Sequence, residues 1–385
     1  MNYELSSEQV TWHQELASFC RAEIAPRAPM LDCCPRRDVG ERMKENLKLL
    51  ARGGWPAAGR EGNAPDMIEA YLAGEAIAKA CPATFMSVRA STFLCAGAVK
   101  LFGTPEQKER YLPLLLRAEG VGALAYSEAH AGSDLKGIST SACKGHDGWR
   151  LSGAKDMVTN APIADVTLVL GRSEQNADAG QGMSLFIVER GAIGLTVGPP
   201  VETLGLRGLP IAAMTMNGCV PSGVLGDLEG QGHEQVQRLL TLGTVGIAAL
   251  CVGIGTACME ITTLHAKTRA AFGRPIGIYQ DVGFKLADMF TLNDLGRMLA
   301  LRAAWAFNTG EPEAGELAAC AKLFASEAAT KIVNWGMQIF AGHGYLAGTD
   351  MERLYRDAKF GEICEGTSEM QRQLIAEAEL DRFKP

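Results

Sequence analysis

STSACKGHDGWRLS, residues 139–152, is the stretch whose reading decides the fold. His146-Asp147-Gly148 is a turn: Asp-Gly suits the tight loop of a β-hairpin, and Gly has no Cβ to oppose a left-handed backbone. The residues on either side, 139–144 and 149–152, then read as two paired strands. A hairpin at this point puts β structure in the middle of a chain whose two ends read as helix.

Working outward, residues 166–170, 184–188 and 213–216 are short apolar or alternating runs, punctuated by Gly and Pro across 120–228. Upstream, Ser6-Ser7-Glu8 offers a helix start, and 70–80 and 90–101 carry apolar residues at helical spacing. Thr104-Pro105-Glu106-Gln107 is a helix N-terminus, with Thr as cap, Pro in the first position and an acid in the first turn. Downstream, 239–261, 280–307 and 313–340 are long runs with apolar residues three and four apart, the pattern of packed helices. The expectation is an α+β protein in three parts. These are an N-terminal helical domain (1–118), a middle β-barrel or sandwich domain (119–229) and a C-terminal four-helix bundle (230–385). No internal repeat or low-complexity segment interrupts them.

The bulk numbers narrow the partners. A net charge of −7 without any long single-sign block argues against nucleic acid or an anionic membrane as the main partner. The eleven cysteines stand mostly alone in apolar surroundings, with no CxxC or HxxxH pair, so no metal site is expected and the thiols read as reduced. The first residues have neither a basic nor an apolar segment of an export signal, and the apolar run 245–257 is too short to span a bilayer. A soluble, cytoplasmic protein is expected.

Five polar, Gly-containing segments could carry chemistry, and each has a plainer explanation. In 126–134, small residues let a ligand approach the backbone and Ser127 and Ser133 offer hydroxyls, but an ordinary surface turn would look the same. Residues 152–161 read as a tight turn between strands. Arg269 and Arg274, at a helix break, suit a phosphate or merely neutralise a helix end. The Gly-rich loop after Gln338 exposes N–H groups that suit a pyrophosphate, although one such loop is weak grounds, and His343 reads as structural. In 362–371, Ser368 with Gln371 forms a capping-box pattern opening a last helix, and Glu365 just before it would complement the helix dipole.

Taken in order, the runs FGTPEQKERYLPLL, SEAHAGSD, WRLSGAKDMVTNA, LGLRG, RAAFGRPIGIYQ, QIFAGHGY, ERLYRD and EGTSEMQR resemble the acyl-CoA dehydrogenases over nearly the whole chain. The resemblance implies that family's three-domain fold, one FAD per subunit and a homotetramer built as a dimer of dimers. It also implies an electron-transfer flavoprotein as acceptor. Glu365 matches the general base that takes the α-proton of an acyl-CoA thioester while the β-hydrogen leaves as hydride to the flavin, giving the trans-2-enoyl-CoA. The α-proton is weakly acidic, so a desolvated carboxylate must cooperate with donors to the thioester carbonyl. In the family those donors are the base's own N–H and a flavin ribose hydroxyl.

The other positions carry over one by one. Tyr126, Ser127 and Ser133 match residues along the flavin and thioester, and Met157 and Thr159 match residues at the flavin ring. Arg269, Phe272, Gln280, Gln338 and Gly342 match residues that reach a neighbouring subunit's FAD. Thr367 and Glu369 match the cofactor's phosphate and adenosine side, while Cys364 and Gly366 flank the base on the substrate side. There are departures. Met157 stands in place of the usual Trp, Cys364 in place of Tyr and Ser127 in place of Thr. The Asp and Arg expected near Thr241 and Thr244 are missing, leaving Arg238 to substitute or a carrier-bound thioester as substrate. Arg89, on the otherwise apolar run 85–98, suits a distal carboxylate, or else reaches solvent or an acid. Alternatives are therefore a carrier-protein acyl dehydrogenase, an enoyl-thioester reductase and, outside enzymology, a flavin-binding protein of nucleic-acid responses, against which the charge counts.

Overall fold

Helices begin where their caps are written. A computed structural model describes residues 5–54, 66–174 and 181–383, so the first four residues of the stretch read above for an export signal lie outside it. Ser6 caps α1 (Ser7–Phe19) in a reciprocal box with Gln9. After α2 (Ala28–Cys33) and α3 (Arg36–Arg52), Asp66 caps α4 (Met67–Ala80) through the N–H groups of Ile68 and Glu69. α5 (Pro82–Val88) continues into a π-helical stretch, Arg89–Ala96, and then α6 (Gly97–Phe102). The expected regular helix over 90–101 is thus widened in its middle, a local form often found at functional sites. Thr104 closes its capping box with Gln107 at the start of α7 (Pro105–Leu116).

The sheet follows. Its strands are β1 (Gly122–Ala125), β2 (Ser141–Gly145), β3 (Gly148–Thr159), β4 (Val166–Arg172), β5 (Met183–Glu189), β6 (Leu195–Val197), β7 (Ile211–Cys219) and β8 (Gly223–Val224). The order is β6-β7-β3-β2-β4-β5-β8, with β1 also paired to β4. The 146–148 turn joins β2 to β3 as an antiparallel hairpin, and Gly148 takes a φ of 101°. β1 and β2 both run parallel to β4, while β4 and β5 are antiparallel with Leu168 opposite Ile187 and Val169 opposite Phe186. Side chains alternate across a strand. Leu168, Leu170, Leu185 and Ile187 accordingly pack on one face with Leu94, Leu115 and Leu239, and Val169, Phe186 and Val188 pack on the other with Leu151 and Met214.

The chain returns to helix in α8 (Gly232–Thr268), passes a two-stranded ribbon of β9 (Ala270–Ala271) and β10 (Arg274–Pro275), and continues in α9 (Gln280–Thr309) and α10 (Ala314–Phe340). The short α11 (Asp350–Ala358) and α12 (Phe360–Ile363) lead to α13 (Ser368–Arg382). α8 packs on α4, α9 and α10, and one core holds Tyr71, Leu72, Ile77 and Phe85 together with Val245, Leu250, Ile254 and Ile332. The first and last helical regions therefore share their interior. The apolar run 245–257 is a segment of this 37-residue helix, which is long and apolar enough to cross a membrane, contrary to the estimate from length. Most of its apolar window is buried inside the protein, which accounts for its character as a core helix.

Candidate active site

Three structures meet at one cavity: the sheet, the π-helical stretch and the loop before α13. Glu365, Arg89, Tyr126, Ser127, Met157 and Thr159 all line it. Six residues scattered over 276 positions of sequence are thus brought together.

Two buried clusters hold the wall of the cavity, one on the sheet and one where sheet meets helix. Glu128, from the SEAHAGSD run, accepts hydrogen bonds from the N–H of Ser139 (2.8 Å), the hydroxyl of Ser139 (2.7 Å), the N–H of Thr140 (2.9 Å) and Nζ of Lys155 (2.8 Å). Burial pushes its carboxyl up, but Lys155 and the donors of Thr140 and Ser139 outweigh that and bring it to about 2. Lys155, itself fully buried, also donates to the carbonyl of Tyr126 (3.0 Å), so β3 holds the 126–128 backbone at the cavity wall. Asn160 does the same for the helix side. Its amide donates to the carbonyls of Ser87 (2.9 Å) and Gly122 (3.1 Å), and its oxygen accepts from the Ser87 hydroxyl (2.6 Å). Sequence reading quoted Glu128, Lys155 and Asn160 only as parts of motifs; their burial in apolar surroundings is what marks them.

Between Lys155 and Val158 the β3–β7 register shifts, and Met157 takes a φ of 52°. A bulge of this kind re-aims a side chain. Here it leaves Met157 half exposed beside Thr159, on the wall that faces Glu365.

On the helical side, Arg89 neither lies at a helix edge nor reaches solvent. It is 2 % exposed, and its guanidinium grips both oxygens of Glu365 in a bidentate ion pair. Nη2 also donates to the carbonyl of Gly243 (2.9 Å), and the ring of Phe93 lies 5.8 Å away. α8 is notched to admit it. A Cβ at Gly243 would collide with Arg89 Nη2, and one at Gly246 would sit 2.7 Å from Arg89 Nε. Nε is buried and has no hydrogen-bond partner among the described residues.

Glu365 has a φ of 50° and Gly366 of 89°, so the loop that carries the carboxylate is left-handed over two residues. Such backbone in a non-glycine residue persists only where its surroundings dictate it. The helix cap that follows differs from expectation: Thr367, not Ser368, caps α13, accepting from the N–H of Met370, and Ser368 is buried in the first turn. Gln371 turns back to donate to the carbonyl of Gly366 (3.3 Å) instead of closing a box. Cys364 is half-buried, its thiol pushed up by burial and by the charge of Glu365.

The remaining predicted positions lie apart from this cavity. Ser133 is exposed on the loop after the 126–128 segment. Arg238 is exposed over the ring of Phe102, and the hydroxyls of Thr241 and Thr244 return to their own helix at Gln237 and Leu240. Arg269, Phe272 and Gln280 are exposed around the β9–β10 ribbon, Phe272 almost wholly so at 95 %. Gln338 and Gly342 are exposed where α10 ends, beside the stacked rings of His265 and Phe340. Thr367 and the exposed Glu369 stand at the N-terminus of α13, where backbone N–H groups and then the Thr367 hydroxyl hold the Glu369 carboxyl below its usual range.

A flavin ring fits what is present: a wall with the hydroxyls of Ser127 and Thr159, and a thioether held out by a bulge across from a buried carboxylate. Known proteins agree. Residues 6–119 match the acyl-CoA dehydrogenase N-terminal domain, 123–219 its middle domain and 230–380 its C-terminal domain. A probable acyl-CoA dehydrogenase of Bacillus subtilis, YngJ, is 38 % identical over 98 % of this chain and 99 % of its own. The butyryl-CoA dehydrogenase of Megasphaera elsdenii superposes with a TM-score of 0.90 at 30 % identity, covering 99 % of this chain and 100 % of its own. An acyl-CoA dehydrogenase of Bacillus anthracis complexed with FAD gives 0.89 at 26 % identity, over 98 % of this chain and 68 % of its own.

The chain belongs to the acyl-CoA dehydrogenase family. It is a flavin-dependent oxidoreductase with acyl-CoA dehydrogenase activity, and its cofactor is FAD.

Proposed function

We propose that this enzyme introduces the α,β double bond into a short acyl-CoA thioester, with Glu365 as the base that takes the α-proton. The observation that carries this assignment is the buried side chain of Glu365 on a left-handed loop, lining one cavity with Tyr126, Ser127, Met157 and Thr159. Bound there, FAD supplies the acceptor for the β-hydrogen as hydride. Of this chain's own groups, Ser127, Met157 and Thr159 hold the ring side, and Thr367 and Glu369 hold the phosphate and adenosine side. Leu94 and Leu124 supply part of the apolar lining. A short acyl group is favoured because Arg89 fills the space beyond Glu365 between Phe93 and the Gly243–Gly246 notch.

The same arginine supports a second choice of acyl group. A buried guanidinium with an unpartnered Nε suits an acyl chain that ends in a carboxylate, which would draw Arg89 off the base. Cys364 and Gly366 border the substrate in either case; Ser133 and Arg238, both exposed, are assigned to its outer parts.

Assembly is proposed as a homotetramer in which Arg269, Phe272, Gln280, Gln338 and Gly342 reach a neighbouring subunit's cofactor. The exposed rings of Phe272, Phe284 and Phe290, with Met298, support a covered surface there. An electron-transfer flavoprotein is the proposed acceptor. The eleven unpaired cysteines support a cytoplasmic site.

The test is anaerobic titration of the yellow holoenzyme with a panel of acyl-CoA thioesters. Bleaching by one of them, slowed about 10²–10⁴-fold in Glu365→Gln, is expected from loss of a general base. A wild-type rate in that variant would remove Glu365 from the role. Bleaching only by a carrier-bound acyl group would replace CoA as the substrate's handle.

A further inference from the structure

Lys322 lies outside every motif quoted above. It stands on α10 with no exposed surface, and its Nζ donates to the carbonyl of Gly366 at 2.6 Å. That carbonyl also accepts from Nε2 of Gln371. Two buried donors therefore converge on the carbonyl of the residue that follows Glu365, within the left-handed turn. Burial holds the ammonium below the ordinary lysine range, while Cys364, Cys251 of α8, Glu365 and Glu362 of α12 act the other way. Glu362 is itself engaged by Thr330 and Lys359, so it is no dedicated counter-ion for Lys322.

An ammonium is an expensive thing to bury without a carboxylate partner. A surface lysine or a neutral donor would hold one carbonyl as well. What a buried cation adds is a field on the nearby carboxylate, and the nearest one on that loop is Glu365. Arg89 already faces Glu365 from the π-helical stretch. Once a substrate moves Arg89 aside, Lys322 remains as a buried positive charge on the loop that carries the base.

We propose that Lys322 is a positioning residue for the base, fixing the Glu365–Gly366 turn through the Gly366 carbonyl and placing a fixed positive charge against the loop that carries Glu365. This rests on Glu365 being the base. The hydrogen bond sets where the carboxylate points, and the positive charge favours an anion on that loop.

The experiment is stopped-flow flavin reduction of the FAD-loaded enzyme by butyryl-CoA and by glutaryl-CoA, whose terminal carboxylate can draw Arg89 off the base, from pH 5 to 9, for wild type, Lys322→Met and Lys322→Gln. For Lys322→Met the limiting rate should fall at least about tenfold, with the half-saturating concentration within about twofold. The acid limb of its rate profile should move to higher pH, because a cation has been removed from near the base. Lys322→Gln can still donate to Gly366 but carries no charge. It should recover most of the alkaline plateau and keep the displaced limb. Wild-type rate and limb in Lys322→Met overturn the proposal. So do two equally slow variants with an unmoved limb, the pattern of a merely structural lysine. If Lys322→Met does not hold FAD, Lys322→Gln decides alone, a displaced limb supporting the role and a wild-type limb overturning it. A wild-type flavin that no acyl-CoA reduces overturns the function and this role together, which separates the two kinds of failure.

Discussion

Removing one partner of the Arg89–Glu365 pair should reveal how tightly the site is coupled. The side chains are 2 % and 7 % exposed, so neither charge can turn to water when the other is lost. Breaking a buried pair from one side costs about 3–5 kcal/mol, mainly because a charge is left uncompensated. Arg89→Met keeps an unbranched chain among Phe85, Phe93 and Val245, so most of its cost should be electrostatic. Glu365→Gln leaves the guanidinium facing a neutral amide. With both changes together there is no charge left to strand, and the loss should be far smaller than the two single costs added. The expected coupling energy is about 3 kcal/mol, well beyond the ~0.5 kcal/mol scatter of independent sites. The assay is urea unfolding of the four proteins at one concentration with saturating FAD, since cofactor and assembly both shift apparent stability. Coupling below about 0.5 kcal/mol would refute the pair as an energetic unit. Kinetics supply a second readout. Arg89→Met should bleach faster than wild type with butyryl-CoA, because the base is no longer held, and slower with a thioester whose acyl chain ends in a carboxylate.

Three further outcomes are expected. Gly243→Ala, whose Cβ would strike Arg89 Nη2 and lie 3.1 Å from Glu365 Oε2, should cut the rate of flavin reduction by an order of magnitude or more. Combined with Arg89→Met it should cost much less, as stopped-flow on the double variant would show. Glu128 is held at about 2, below its unfolded value, so its stabilisation is in place above about pH 4.5 and is lost as the pH falls towards 2. Lys155 stays charged in both states over that window. Acid unfolding followed by circular dichroism should therefore be steeper in wild type than in Glu128→Gln between those limits. Asn160→Ala should loosen the α5–sheet junction by about 2 kcal/mol or more, because it strands the Ser87 and Gly122 carbonyls in a buried place; thermal unfolding checks this.

Local chemistry was readable from sequence where it is short-range. The Thr104 box, the 146–148 turn and the three long helices each depend on residues within a few positions of one another, and all appear as expected. The order of strands did not follow from any such rule, because β1 and β2 pair with β4 through contacts that skip along the chain. The π-helical turn at Arg89 was hidden for a related reason: an apolar spacing of three and four is equally compatible with a regular helix. Glu365 was found through the order of motifs, but its partner sits 276 residues away and no spacing connects them. For Arg89 the sequence left a distal carboxylate, solvent and an acid open, because the notch that receives it is made of glycines, which leave no mark of what they accommodate; the acid is Glu365. Thr367 and Ser368 both offer a hydroxyl, and only the backbone of the strained loop chooses between them.

The notch at Gly243 and Gly246 also limits the order in which this enzyme can change. While Arg89 is present, a side chain at either glycine meets the guanidinium, so a change there must push Arg89 off its place. Loss of Arg89 opens Gly246, whose close neighbours are all atoms of that side chain, and relieves Gly243, where Glu365 Oε2 at 3.1 Å remains the limit. Once either has gained a side chain, arginine cannot return to its place. The trio acts as a one-way ratchet in the history of the pocket. Directed evolution towards a bulkier acyl group should begin at residue 89, because libraries that begin at the glycines will be populated by dead ends.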